Sequence, residues 1–222
     1  MRILAVADEP VLQDPRAIRS LEADLIVSCG DLPFDYLEFL EDCTDAPLLF
    51  VPGNHDPDLR PGDRSAPAGV VAGLVERAPA PGPPGGIAVD GRVVRVAGVV
   101  AGGLGGSVRY RGGPNQYTQA GMRLRAAVLA TRTMLRHPVR RLDLLVTHAP
   151  PQGLGDQDDP AHVGFAAFRR LAAMLKPRYL IHGHIHPHGT PRPDRTLNGT
   201  TVVNAVGYRV LDTALPAHRA RS

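Results

Sequence analysis

The sequence predicts an α/β protein built on a parallel sheet, and three observations lead there. Short apolar runs (ILAVA, DLIVSC, PLLFV) alternate with helical patterns (PRAIRSLEA, FDYLEFLEDC) through the first third of the chain. Such alternation is the signature of βαβ units. Each run also stops on a polar, glycine-containing or acidic segment: DEP, CGD and PGNHDPD. In parallel sheets functional groups collect just past the carboxyl ends of the strands, so these segments are where chemistry is expected.

Further along, residues Pro57 to Gly86 are rich in Pro and Gly and read as long surface loops. GGIAVD and RVVRVAGVV then predict a hairpin around Asp90-Gly91. The glycine-rich AGGLGGSVRYRGG follows, and a helix is predicted over Gln116 to Arg136, with Arg123, Arg125, Arg132 and Arg136 spread along an ordinary amphipathic pattern. LDLLVTHAPP reads as a strand ending at His148, HVGFAAFRRLAAML as a helix, RYLIHGHIHPHG as a strand running into histidines, and TTVVNA as a last strand. No internal repeat is present, and the tail after Asp212 reads as loosely held. Residues 1–222 are read as one domain.

Composition narrows the function classes. With 43% hydrophobic residues the 222-residue chain can bury a core. Its 25 basic against 22 acidic residues leave a formal +3, which does not announce a nucleic-acid footprint. Cys29 and Cys43 form neither a CxxC pair nor a disulfide framework, so a reducing, cytoplasmic setting is expected. No run approaches the ~18 apolar residues a membrane span needs, so no membrane partner is expected. Oligomeric state is not legible.

The predicted strand ends carry Asp8, Asp31, Asn54, His55, Asp56, His148, His184 and His186. Oxygen and imidazole donors from several strand ends are what a divalent transition-metal site needs, each loop delivering one or two ligands. In GHIH an extended chain would turn His184 and His186 to the same side.

In this order Asp8, Gly30-Asp31, Gly53-Asn54-His55-Asp56, His148 and Gly183-His184-Ile185-His186 resemble the calcineurin-like metallophosphoesterases, whose motifs run D-x-H, G-D, G-N-H-D/E, H and G-H-x-H. The resemblance spans residues 1 to about 205. It implies a four-layer α-β-β-α sandwich of two mixed sheets flanked by helices. It also implies two divalent ions, manganese first, with iron, zinc or nickel as alternatives. Asp31 would bridge them, Asn54, His148 and His184 would hold the second, and Asp8 and His186 the first. His55 would be the catalytic group at the leaving oxygen, and the activity would be hydrolysis of a small phosphodiester or phosphomonoester.

Position 10 departs from the pattern, since proline stands where the family has a histidine. Glu9 substitutes as ligand, water fills the place, or one metal is held tightly and the other loosely, giving an asymmetric site. On a regular strand Glu9 would face away from Asp8. Phe34 stands where the protein-phosphatase branch has an aspartate, and Asp35 comes one residue later. Ser107, Arg109 and Tyr110 on the glycine-rich loop are candidates to meet the phosphate, Arg109 foremost because guanidinium matches phosphate geometry. His162, His182 and His188 read as neighbours of the ligands or as exposed, with His182 in a strand. The competing functions are a non-catalytic scaffold on the same fold, and a nuclease.

Overall fold

The protein is described by a computed structural model over residues 1–59, 82–136, 141–187 and 193–216. The first half contains β1 (Arg2–Ala7), α1 (Pro15–Ser20), β2 (Leu25–Ser28), α2 (Phe34–Thr44), β3 (Leu48–Phe50), β4 (Ile87–Ala88), β5 (Val93–Val96), β6 (Val99–Leu104), β7 (Ser107–Val108) and β8 (Gln116–Tyr117). The second half contains α3 (Gln119–Arg136), β9 (Leu144–Thr147), α4 (Ala166–Leu175), β10 (Tyr179–His182), β11 (Arg195–Leu197), β12 (Thr200–Asn204) and β13 (Gly207–Asp212).

One sheet has the order β13-β1-β2-β3-β4 and the other β11-β12-β10-β9-β6-β5. β1, β2, β3 and β4 run parallel, as do β6, β9, β10 and β12, while β13, β11 and β5 pair antiparallel at the margins. Both sheets are therefore mixed.

The residues of each strand divide between two interfaces, because successive side chains point to opposite faces. Ile3, Ala5 and Ala7 of β1 join Val27 and Leu49 against Ala101, Leu144, Val146, Ile181 and Val203 of the other sheet. Leu4 and Val6 face the opposite way, onto Ile18 of α1 and Leu37, Leu40 and Cys43 of α2. On the far side, Leu145, Leu180 and Val202 pack on Met122 and Leu129 of α3 and on Phe168, Leu171 and Leu175 of α4. These three apolar layers make the α-β-β-α sandwich. Each fully buried leucine contributes about 1.5–3 kcal/mol relative to exposure.

Several elements differ from the sequence expectation. The hairpin joins β5 to β6 and turns at Ala97-Gly98, both at positive φ, whereas Ile87–Ala88 pairs in parallel with β3. Asp90 is used differently: it accepts the Gly105 N–H at 2.7 Å and forms a two-oxygen pair with Arg125, 2.6 Å to each oxygen. The long helix begins at Gln119, after Thr118 caps the Gly121 N–H at 3.0 Å, and Gln116–Tyr117 pairs with β7 instead. Arg125 on that helix also lies over the Tyr117 ring, 4.2 Å from its centroid. Beyond Asp212, Thr213 and Leu215 carbonyls accept from the N-terminal amine and the Leu215 side chain enters the central core. The remainder of the tail, His188 and residues 60–81, where surface loops were expected, lie outside the described residues. Among those described, no helix is long and apolar enough to cross a membrane.

Candidate metal centre

Five strand ends supply the candidate residues, and tight backbone turns aim them. β1 stops at Ala7, Asp8 takes a φ of 62°, and the Glu9 N–H donates to the Ala7 carbonyl at 2.6 Å. This is a γ-turn with positive φ, a strained reversal that persists where its surroundings over-determine it. The Asp8 N–H donates to Gly30 at 3.1 Å, and Asp8 Oδ2 accepts the His184 N–H at 2.9 Å from the other sheet. His184 sits in the same kind of turn, with a φ of 68° and the Ile185 N–H on the Gly183 carbonyl at 2.8 Å. A Cβ at Gly183 would lie 2.5 Å from Asp8 Oδ2, so glycine is what lets the two loops meet.

The extended-chain expectation for GHIH is therefore corrected. The strand ends at His182, and the two rings diverge: His184 packs against His148 with centroids 4.8 Å apart, while His186 turns to Asp8. Its Nε2 is 3.9 Å from Asp8 Oδ1, and its Nδ1 is 2.8 Å from Glu9 Oε1. The turn at Asp8 likewise overturns the expectation that Glu9 faces away, because strand alternation ends one residue earlier.

Asp31 is held from the neighbouring loop. Its Oδ1 accepts the His55 N–H at 2.8 Å, and its own N–H donates to Asp56 Oδ2 at 2.9 Å. The same Asp56 oxygen accepts the Gly53 N–H at 2.7 Å. Asp56 thus clamps the loops after β2 and β3 together. Burial pushes its carboxyl up, against the pull of those two amides.

Ligand-capable atoms of Asp8, Asp31 and His148 all lie within 4.8 Å of one another. His148 is fully buried. Its Nδ1 must donate to the Cys29 carbonyl, 2.8 Å away, which leaves the Nε2 lone pair 2.9 Å from Asn54 Oδ1 and 3.3 Å from Asp31 Oδ2. The Asn54 amide is turned this way with its Nδ2 donating to the Tyr110 hydroxyl at 3.4 Å. His184 Nε2 donates to the Ala161 carbonyl at 2.8 Å, so Nδ1 carries its lone pair.

Three acceptor atoms facing one another at hydrogen-bond distance require a proton or a cation between them. Burial works against a charged His148, yet Asp31, Asp8 and the Cys29 carbonyl outweigh it and raise its pKa to about 9. Asp31 is lowered to about 2, burial being overcome chiefly by His148 and the His55 amide. Burial, reinforced by the charge on His148, lowers His184 to about 3, and burial raises Asp8. A cluster of two carboxylates, an amide oxygen and imidazoles, without thiolate, fits a divalent transition metal, which would take the place of the His148 proton. Backbone carbonyls on the far nitrogens of His148 and His184 fix the tautomers such a metal requires.

His55 is exposed and borders a cleft of about 320 Å³ lined by Asp31, Leu32, Pro33, Phe34, Asp56 and Pro57. On the glycine-rich loop Ser107 is buried, Arg109 is exposed, and Tyr110 is the side chain in contact with Asn54. His162 lies beside His184, centroids 5.3 Å apart, and pairs with Asp159 at 2.8 Å. His182 is buried on β10. The clamp by Asp56 and the His186–Glu9 pair were not foreseen from sequence; the acid ending G-N-H-D was the only signal for the first.

Two stacked mixed sheets flanked by helices, with carboxylates and imidazoles meeting at the strand ends, define a metallophosphoesterase-fold protein. Residues 9–188 match the model of the calcineurin-like phosphoesterases, and the chain belongs to that family. One solved structure aligns at 17% identity over 95% of this chain and 94% of its own, with a TM-score of 0.65. TT1561 of Thermus thermophilus aligns at 18% identity over 95% and 93%, with a TM-score of 0.60. Both are likenesses of fold. No curated protein matches the chain by sequence.

Proposed function

We propose that the protein is a metal-dependent phosphoesterase that hydrolyses a small phosphodiester or phosphomonoester at an asymmetric two-metal site. The observation that carries this reading is His148, whose Nε2 faces Asn54 Oδ1 and Asp31 Oδ2 while its Nδ1 is committed to Cys29. Family membership supports the hydrolase class.

In this reading Asp31 would serve both metals, with Asn54, His148 and His184 holding one and Asp8 and His186 the other. Manganese is the first candidate, with iron, zinc or nickel behind it. Bound there, the ions supply Lewis acidity toward the phosphoryl oxygens and an activated water. His55, beside Asp31 at the cleft, is placed to donate a proton or hydrogen bond to the departing oxygen. The apolar wall of Leu32, Pro33 and Phe34 beside His55 would receive the leaving group, and Arg109 on the glycine-rich loop is proposed to meet the phosphate. Against a non-catalytic scaffold stands the retention of His55 together with Asn54, His148 and His184, none of which a pure scaffold needs. Two free, buried cysteines are in keeping with a reducing, cytoplasmic setting.

The test is turnover of a generic aryl phosphomonoester and phosphodiester with Mn²⁺, in wild type and His148→Ala. Hydrolysis that depends on metal and disappears in the variant supports the reading. Absence of turnover with every divalent metal tried contradicts it.

A further inference from the structure

We propose that Glu9 is a positioning residue that compensates for Pro10. It holds His186 through Nδ1, so that Nε2 is presented to the metal position beside Asp8. The metal part of this inference rests on the function proposed above; the orientation of His186 does not.

The D-E-P segment behaves as one rigid device. The γ-turn at Asp8 swings Glu9 to the side where His186 arrives from a loop 177 residues away. Pro10 has a fixed φ and restricts the backbone of the residue before it, which is Glu9. The Val11 N–H donates to the Glu9 carbonyl at 2.9 Å, closing a second short turn around the proline. A histidine at position 10 could serve as a ligand; the proline instead stiffens the chain that carries the carboxylate.

The two Asp8 oxygens are likewise divided. Oδ2 takes the His184 N–H, and Oδ1 faces His186 Nε2 at 3.9 Å. Glu9 Oε1 lies 2.8 Å from His186 Nδ1. A carboxylate oxygen accepts here, so Nδ1 carries a proton, and in the neutral ring the lone pair is on Nε2. Carboxylate support of this kind orients a metal-binding imidazole and raises its basicity. Glu9 therefore acts on the first metal position through His186 and is not itself a ligand.

The experiment has two readouts on wild type, Glu9→Ala, Glu9→Gln, His186→Ala and the Glu9→Ala/His186→Ala double variant. Nitrogen NMR of histidine-labelled, metal-free protein, at a pH where the ring is neutral, reads the His186 tautomer, with the signal assigned by its loss in His186→Ala. Wild type should show the Nδ1–H form, Glu9→Ala should move toward Nε2–H, and Glu9→Gln should fall between. Mn²⁺ titration should show the weaker equivalent bound ~10–100-fold less tightly in Glu9→Ala, with the tighter one unaltered and the double variant no worse than His186→Ala. An unchanged tautomer in Glu9→Ala overturns the proposal. So does a further loss of Mn²⁺ in the double variant, which would make Glu9 a direct ligand. A wild-type chain that binds no Mn²⁺ contradicts the proposed function, and the tautomer alone then decides the role of Glu9.

Discussion

His148 Nε2 lies 2.9 Å from Asn54 Oδ1, and the opposite nitrogen of the same ring is bound to the Cys29 carbonyl. A ring fixed at both ends, with its lone pair aimed at another acceptor, is prepared for a cation. Removing the amide oxygen in Asn54→Ala should cut Mn²⁺ affinity by more than the ~10–100-fold typical of losing a group outside the ligand set. Calorimetric titration checks this, and an unchanged affinity would take Asn54 out of the site.

The same histidine should shape stability against pH. Its pKa in the folded metal-free protein is about 9, above the ordinary 6.5, so its contribution is complete below 6.5 and is lost as pH rises through 9. His184, lowered to about 3, acts on the other side: the unfolded chain takes up that proton first, so stability declines as pH falls from 6.5 toward 3. The thermal midpoint of metal-free protein should therefore peak near 6.5. Saturating Mn²⁺ should flatten the alkaline decline, because metal replaces the proton on His148. Melting curves across pH with and without metal measure both.

Gly183 is where the two sheets' loops meet. Gly183→Ala places a methyl 2.5 Å from Asp8 Oδ2 and should push the carboxylate aside. The expected cost is about 1–3 kcal/mol, as for other overpacked sites, together with weaker metal uptake. Chemical denaturation and Mn²⁺ titration of the variant check the two effects.

Asp56 accepts from both Asp31 and Gly53, so Asp56→Ala strands two backbone donors. A loss of about 1–3 kcal/mol is expected, with reduced turnover because Asp31 and Asn54 are no longer held in register. Asp56→Asn retains one acceptor oxygen and should recover part of both. An Asp56→Ala variant as stable and as active as wild type would show that the clamp does not matter.

Much of this site was legible in the sequence. Asp8, Asp31, Asn54, His148, His184 and His186 could be gathered because a parallel sheet brings successive strand ends to one edge, and the structure brings them to that edge. What was illegible depends on contacts between distant segments. The turn at Asp8 is held by Gly30 and His184, so strand periodicity alone misdirected Glu9 and pictured His184 and His186 as an extended pair. Asp90-Gly91 does turn, the Arg92 N–H donating to the Val89 carbonyl at 2.9 Å, yet the strands it joins pair with different partners, and the paired hairpin falls at Ala97-Gly98. Gln116 and Tyr117 carry helical pattern but pair with β7, the helix waiting for Thr118 to cap it.

The central claim is a two-metal phosphoesterase site with unequal affinities. It is tested most directly by titrating metal-free protein with Mn²⁺ and following bound metal and phosphoester turnover in the same samples. The account predicts a tight and a weaker equivalent, with turnover rising as the weaker one fills, and with the tight equivalent and turnover both lost in His148→Ala. Full turnover at one equivalent, or binding unaffected by His148→Ala, would contradict it.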